Sequence, residues 1–277
     1  MADIYGSHFE YGGVSSVQYN LIIANINTTR MTRMDGDKKS VTIYSKSSKK
    51  RYLIDDDYSE SPVSFDIEIL TEDSRCLEVS ERRRIEKWLF GHHDYRKLYV
   101  DISDDVLGET FEYVDGKRLR NYLNCRLINP EKLECQGGVI GYKATLEADS
   151  NMYWQDAITK KYIVNNGSDA ASTTISLYVD TDIADYTYPK VTIVMGRSGG
   201  DILICNQTDD SARFTKFVDV LQNASIVMNG ELNYVSGQYY EKFSNRHFIR
   251  LLSGENKLTI RGDVSTIAFE YSARRMM

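Results

Sequence analysis

The sequence has no excess of basic residues, no long apolar run and few cysteines, and each shortage removes a class of protein. Its 34 lysines and arginines are outnumbered by 40 aspartates and glutamates, for a net charge of −6. A protein that grips nucleic acid needs clustered Lys and Arg on a basic domain. Neither part of the chain has that footprint: residues 1–155 carry 21 bases against 26 acids, and the rest 13 against 14. No stretch approaches the roughly 18 apolar residues that cross a bilayer, which leaves no helical membrane anchor. Met1–Glu10 has neither the basic region nor the apolar core of an export signal, so we expect a chain made and folded in a cytoplasm. Four cysteines (Cys76, Cys125, Cys135, Cys205) are too few and too scattered for a disulfide scaffold and read as free thiols. Cys125 and Cys135 flank Asn129-Pro130, where two strands could meet at a turn, and a bridge between them stays a second option.

Catalytic motifs are missing too. There is no nucleophile elbow, zinc-protease helix motif, phosphate loop or dinucleotide fingerprint. Paired carboxylates of a glycosidase have no fixed spacing, so 40 acidic residues leave that chemistry open. His92-His93-Asp94 is the one place where two histidines adjoin a carboxylate, but neighbours on an extended chain point opposite ways and His8 and His247 stand at no recognised ligand spacing. It reads as a solvated loop. Asp55-Asp56-Asp57 and Asp104-Asp105 lack the spacing of a calcium loop and read as exposed loops. Arg82-Arg83-Arg84 would splay around a helix, a solvated face more than a phosphate grip. Arg261-Gly262-Asp263 matches an adhesion tripeptide, yet a hairpin turn explains it better. The sequons at Asn27, Asn166, Asn206 and Asn223 mean nothing in a chain that enters no secretory pathway. We therefore expect no catalytic, cofactor-binding or metal-binding residues, no cofactor and no enzyme.

What is present is β structure. A hydrophobic share of 42% supports a packed core. Three prolines beside 20 tyrosines, with Val, Ile and Thr in short alternating runs, point to strands. Val17, Tyr19, Leu21 and Ile23 share one face of a strand by the period of two, and Val63, Phe65, Ile67 and Ile69 alternate with polar residues more cleanly. Residues 38–58 suggest a protruding hairpin. In the segment 80–91, Ser80 suits an N-cap, Glu81 the positive helix end and Gly91 a left-handed C-terminus, while Ile85, Trp88 and Leu89 form an apolar stripe. One helix, about 80–90, should lie on a sheet. Strands follow at 98–102, 111–114, 119–128 and 138–148. After a small, polar stretch at 164–174, a long loop or a domain junction, come eight short strands: 175–179, 189–195, 201–206, 213–218, 224–229, 248–252, 257–261 and 266–271. That rhythm is a β-sandwich.

Three stretches together resemble the distal tail protein family of siphophages. They are Phe9-Glu10-Tyr11-Gly12-Gly13 before the first strand, Tyr188-Pro189-Lys190-Val191-Thr192-Ile193 continuing through Gly200–Asn206, and Arg246–Gly262 with its Leu252-Ser253-Gly254-Glu255-Asn256 run. In the last, Ser253–Asn256 reads as a tight turn between antiparallel strands, with Gly254 supplying a positive φ and Asn256 tolerating one. The resemblance implies a mainly β protein: an N-terminal tail-tube-like domain with one α-helix over 1–155, and a C-terminal galectin-like β-sandwich over 156–277 whose final strand packs back on the first domain in one arrangement. It implies a homo-hexameric ring at the virion tail tip, synthesised and assembled in the bacterial host cytoplasm. The ring would join the tail tube protein to the baseplate hub or tail-fibre protein and leave a channel for DNA, with no membrane partner and no specific nucleic-acid binding. The alternative is a carbohydrate-binding module for host surface polysaccharide, served by Tyr186, Tyr188, Phe214, Phe217, Tyr234, Tyr239, Tyr240, Phe243 and Phe248, although core packing is the commoner use of such rings.

Overall fold

The computed structural model describes residues 7–26, 37–45, 50–59, 64–100, 111–114, 116–135, 137–150, 152–168 and 170–275. Its contacts divide the chain between Trp154 and Gln155 into two units. Residues 164–168, 170 and 171 lie in a loop inside the second unit rather than at the junction. No described helix is long and apolar enough to cross a membrane.

The first unit contains β1 (Phe9–Tyr11), β2 (Val14–Ser15), β3 (Leu21–Ile26), β4 (Asp37–Ser45), β5 (Lys50–Ser59), β6 (Ser64–Thr71), α1 (Val79–Phe90), β7 (Arg96–Val100), β8 (Phe111–Val114), β9 (Lys117–Cys135) and β10 (Gly138–Ala148). The main sheet runs β2-β1-β7-β9-β10-β6-β3, with β8 paired to β9. The expected hairpin is β4–β5, a two-stranded sheet of its own. Asp55–Asp57 lie in β5, so the acidic triplet is strand and not loop. Asp104, Asp105, Val63 and Asn27 fall outside the described residues.

The helix stripe behaves as its spacing predicts: Ile85, Trp88 and Leu89 are buried against Phe9, Tyr11, Leu21, Ile67, Ile69 and Tyr142 of the sheet. Trp88 stacks on Phe9 at 5.7 Å and donates its indole N–H to the Tyr11 carbonyl at 2.9 Å. The ends of the helix differ from expectation. Glu78 is the N-cap, not Ser80, and Glu81 accepts the Glu78 N–H at 3.1 Å while bonding both Arg75 guanidinium nitrogens at 2.8 and 2.9 Å. Gly91 sits at φ −78°, outside the left-handed region; glycine is needed because a Cβ would come within 2.5 Å of the Lys87 carbonyl oxygen.

Two strand expectations for this unit needed correction. Ser16–Tyr19 is a 3₁₀ turn ended by Asn20 at φ 54°, which leaves Val17 60% exposed and starts the strand only at Leu21. Asn129-Pro130 is not a turn. β9 runs through it for 19 residues, and the register slip between Lys143 and Thr145 of β10 marks a bulge. There Asn129 takes φ 52° and Pro130 lacks a ladder donor, both tolerated where pairing is locally broken. All four cysteines are free.

The second unit contains β12 (Ile158–Ile163), β13 (Ser172–Val179), β14 (Lys190–Met195), β15 (Gly200–Asn206), β16 (Phe214–Val220), β17 (Ser225–Asn229), β18 (Tyr234–Val235), α2 (Tyr239–Lys242), β19 (Gly254–Arg261), β20 (Val264–Tyr271) and β21 (Arg274–Arg275), after β11 (Tyr153–Gln155) at the boundary. Sheets β12-β20-β14-β17-β18 and β13-β19-β15-β16 make a sandwich. Alternating residues such as Val191, Ile193, Ile204, Phe217, Ile260 and Phe269 fill its core. β20 lies between β12 and β14, within this unit.

Residues 248–252 are not a strand; only Leu251 bridges to Thr187. Ser253–Asn256 is not a hairpin either, because Gly254–Asn256 pair with Val179–Leu177 as the start of β19. Gly254 has the anticipated positive φ of 93°, but Asn256 is wholly buried and works through its side chain. Its amide donates to the Leu252 and Gly254 carbonyls at 2.8 and 3.1 Å, and its oxygen accepts from the Leu252 N–H and the Asn206 amide at 2.9 and 2.8 Å. Gly262-Asp263 joins β19 to β20 across the two sheets, an arch rather than a hairpin. Asp263 is 3% exposed and accepts the Ser198 N–H at 2.6 Å, so the adhesion-like tripeptide is not presented.

Candidate functional site

Strand alternation gives the first unit's sheet a second face, opposite α1. Glu10 of β1, Lys97 and Tyr99 of β7, Arg120, Tyr122, Asn124 and Arg126 of β9, and Lys143, Thr145 and Glu147 of β10 lie on it, because their neighbours Tyr11, Leu98, Leu123, Cys125, Ala144 and Leu146 point into the core. The face is knitted across strands. Arg120 meets Glu10 at 2.9 Å and lies 3.8 Å over the Tyr99 ring. Tyr99 and Tyr122 are 5.3 Å apart, and Lys97 caps Tyr122 at 3.9 Å. Arg126 bonds Glu147 at 2.7 and 3.0 Å, and Tyr95 donates to the same carboxylate at 3.2 Å. Asn124 reaches Asp149 at 2.7 Å, and Asp66 takes Thr145 at 2.9 Å and Lys143 at 3.6 Å. The Glu147 bond holds Arg126 above its ordinary pKa, while burial, then that carboxylate, raises Tyr95. A mixed-sign ladder of this kind presents both signs of charge to a complementary surface and builds no strong field of one sign for a polyanion.

The sandwich offers edges instead. β16 is covered along its outer side: the Ser244 N–H donates to the Lys216 carbonyl at 3.0 Å, Asn245 accepts the Lys216 N–H at 3.1 Å, and Thr215 donates to the His247 carbonyl at 2.7 Å. β12 carries Lys160 and Lys161, the charges that usually guard an edge. β13, Ser-Thr-Thr-Ile-Ser-Leu-Tyr-Val, ends its sheet with eight residues and no charge, and presents Tyr178 66% exposed. Two acceptors of that edge, the Ser176 and Tyr178 carbonyls, are taken by the Tyr162 and Tyr271 hydroxyls at 2.8 and 3.0 Å.

The predicted chemical residues do not converge. Among the described residues, no three His, Cys, Asp or Glu side chains could hold a metal ion. His92 and His93 follow α1, and Asp94 faces Arg96 at 3.6 Å. His8 lies near Glu72 at 3.8 Å, and His247 is bonded through its backbone, its carbonyl accepting from Thr215 and its N–H donating to Asn245. Arg83 and Arg84 are exposed and Arg82 half-buried on the helix. Asn166 and Asn206 spend their side chains on internal bonds, to the Ile260 and Gly262 carbonyls and to Asn256. Of the nine aromatic residues, Phe217 and Phe243 stack at 5.0 Å in the core, and Phe248 packs edge-on against Phe243. Tyr188, Phe214, Tyr234 and Tyr240 are exposed; Arg246 lies 3.8 Å over Tyr240 and Arg250, paired with Asp209 at 2.7 Å, lies 3.9 Å over Tyr186. Sequence reading missed the ladder and the β13 edge. The second had a signal, a strand-like run without a charge; the first joins residues up to 110 positions apart.

Two family descriptions match the chain: "Phage tail protein N-terminal domain" over residues 4–150 and "Phage tail C-terminal domain" over residues 159–271. No curated protein matches its sequence. Among solved structures, the fold is similar to the Dit (gp 19.1) protein of phage SPP1, described as a paradigm of hub adsorption apparatus in phages infecting Gram-positive bacteria. The TM-score is 0.62 at 10% identity, over 98% of this chain and 100% of that one. It is also similar to chains of the phage p2 baseplate in its activated conformation, with Ca (TM-score 0.52, 8% identity, 97% and 98% covered) and with Sr (0.51, 8%, 96% and 97%).

Proposed function

The chain belongs to the phage tail protein family that those two domains define, and from this premise we propose that it is a structural, non-enzymatic part of a siphophage tail tip. The observation that carries the reading is the whole-length likeness to a hub protein, which spans both units with little left over on either chain. In this reading six copies close into a ring between the tail tube protein and the baseplate hub or tail-fibre protein. Heterologous contacts that close on themselves need two complementary surfaces on each copy. The ion-paired sheet face of the first unit and the uncharged β13 edge of the second are the surfaces we assign to them. The first unit is the tail-tube-like, ring-forming domain, and the sandwich is the galectin-like one. A channel for DNA should not hold DNA, and the net acidity of residues 1–155 suits that passage.

Immunogold labelling of intact particles tests the placement. Antibodies against this chain should mark the distal end of the tail. Label along the tube or on the head would contradict the proposal. The polysaccharide-binding alternative draws on the exposed Tyr188, Phe214, Tyr234 and Tyr240, and pulldown on host wall polysaccharide that is lost when residues 156–277 are removed would favour it.

A further inference from the structure

Two of the four cysteines, 59 positions apart, are neighbours at the tip of the β9–β10 hairpin. Cys76 precedes α1 in a segment clamped to that hairpin by the Leu77 N–H, which donates to the Val139 carbonyl at 2.7 Å. Its sulfur lies 4.0 Å from the Cys135 carbonyl oxygen. It occupies the space that a Gly138 Cβ would need, with the Cys76 Cβ 2.8 Å from that position. Gly138 stands opposite Cys135 in the ladder. Directly opposed residues of an antiparallel pair direct Cβ atoms to the same face, about 4.5–5.5 Å apart. The Cys76 sulfur therefore stands in for the missing Gly138 side chain as the cross-strand neighbour of Cys135. A disulfide needs its two Cβ atoms about 3.8 Å apart, and the Cys76 Cβ already stands beside the Gly138 Cβ position that faces Cys135. Both residues are exposed, whereas Cys125 is buried and Cys205 is half-buried with its thiol on the Asp210 and Ser211 carbonyls at 3.7 and 3.4 Å.

We propose that Cys76 and Cys135 are a redox-closable pair, joined into an intramolecular disulfide by exchange with a small-molecule disulfide. One thiolate attacks a sulfur of the oxidant, forming a mixed disulfide and releasing one small thiolate. The second cysteine thiolate then attacks the protein sulfur of that adduct and releases the other. Two protein thiols lose two electrons and two protons, and the oxidant leaves as two thiols. Burial raises the pKa of Cys125 strongly and that of Cys205 to a lesser degree, which keeps both out of the exchange. The bond fastens the segment leading into α1 to the hairpin tip. It does so whatever the protein's role in the particle.

Treatment of the reduced full-length protein with oxidised glutathione, followed by thiol counting and non-reducing peptide mass spectrometry, tests the pair. The expected result is loss of two titratable thiols, a peptide linking Cys76 to Cys135, and no glutathione retained on either. In Cys76→Ser the linked peptide should vanish and Cys135 should keep a glutathione adduct, with the mirror result in Cys135→Ser. Separate adducts on Cys76 and Cys135 in the unaltered protein, a link from either to Cys205, or a covalent dimer would overturn the proposal.

Discussion

In the second unit two sheets cover each other's inner faces, and the polar residues of each strand turn to solvent. In the first unit, among the described residues, one helix covers one face of the main sheet, and on the other face ion pairs and cations lie over the buried Tyr99 and Tyr122. The sandwich needs nothing more to close its core. That sheet carries the same kind of apolar interior on one side and, on the other, a patterned surface whose side chains are already held in place by one another. The difference teaches where function should be sought: in the surfaces that folding leaves unused, since among the described residues no three His, Cys, Asp or Glu side chains could hold a metal ion.

The largest effects should separate the two cores. Trp88→Ala and Phe217→Ala each remove a buried aromatic side chain and should each cost about 3–5 kcal/mol. Urea unfolding followed by hydrogen exchange on peptides from either side of residue 155 should show each loss confined to its own unit. Equal loss of protection in both would break the comparison. Next comes Asn256→Ala, expected to cost about 2–3 kcal/mol because the buried Asn206 amide and the Leu252 backbone lose their partner; the urea midpoint of the second unit reports it.

A smaller effect belongs to the helix entry. The bond to Arg75, then the one to the Glu78 N–H, lowers the Glu81 pKa from 4.5 to about 2. A depressed carboxylate contributes stability that is present above about pH 4.5 and lost as pH falls through about 2. Glu81→Gln should cost about 1 kcal/mol at neutral pH, given the partial exposure of both partners, and should flatten acid unfolding of the first unit in that window. The smallest effect on folding should come from Glu147→Arg, which sets a second cation beside Arg126 on the open face. The unfolding midpoint of the isolated chain should barely move, while its assembly should fail. A variant that assembled normally would remove the open face from the account.

Much of the fold is legible because alternation and the helical stripe report burial directly. Val191, Ile193 and Phe269 face inward as the period of two requires, and Ile85, Trp88 and Leu89 lie where the spacing puts them. What escapes the sequence depends on partners far along the chain. Glu78 caps the helix although Ser80 is the better capping type, because Glu81 and Arg75 bond there. Asn129-Pro130 looks like a turn in isolation, yet β10 pairs on both sides of it and makes it a bulge. Asn256 looks like a turn residue until Asn206, 50 positions away, is seen to share its buried oxygen. The open-face ladder was illegible for the same reason, since charge alone does not tell a paired residue from a solvated one.

The solution mass of the purified chain, by light scattering on a size-exclusion peak with negative-stain images of that peak, tests the ring most directly. The account predicts six times 31.8 kDa and ring-shaped particles with an open centre. A monomer that stays monomeric when tail tube and hub proteins are added would contradict it.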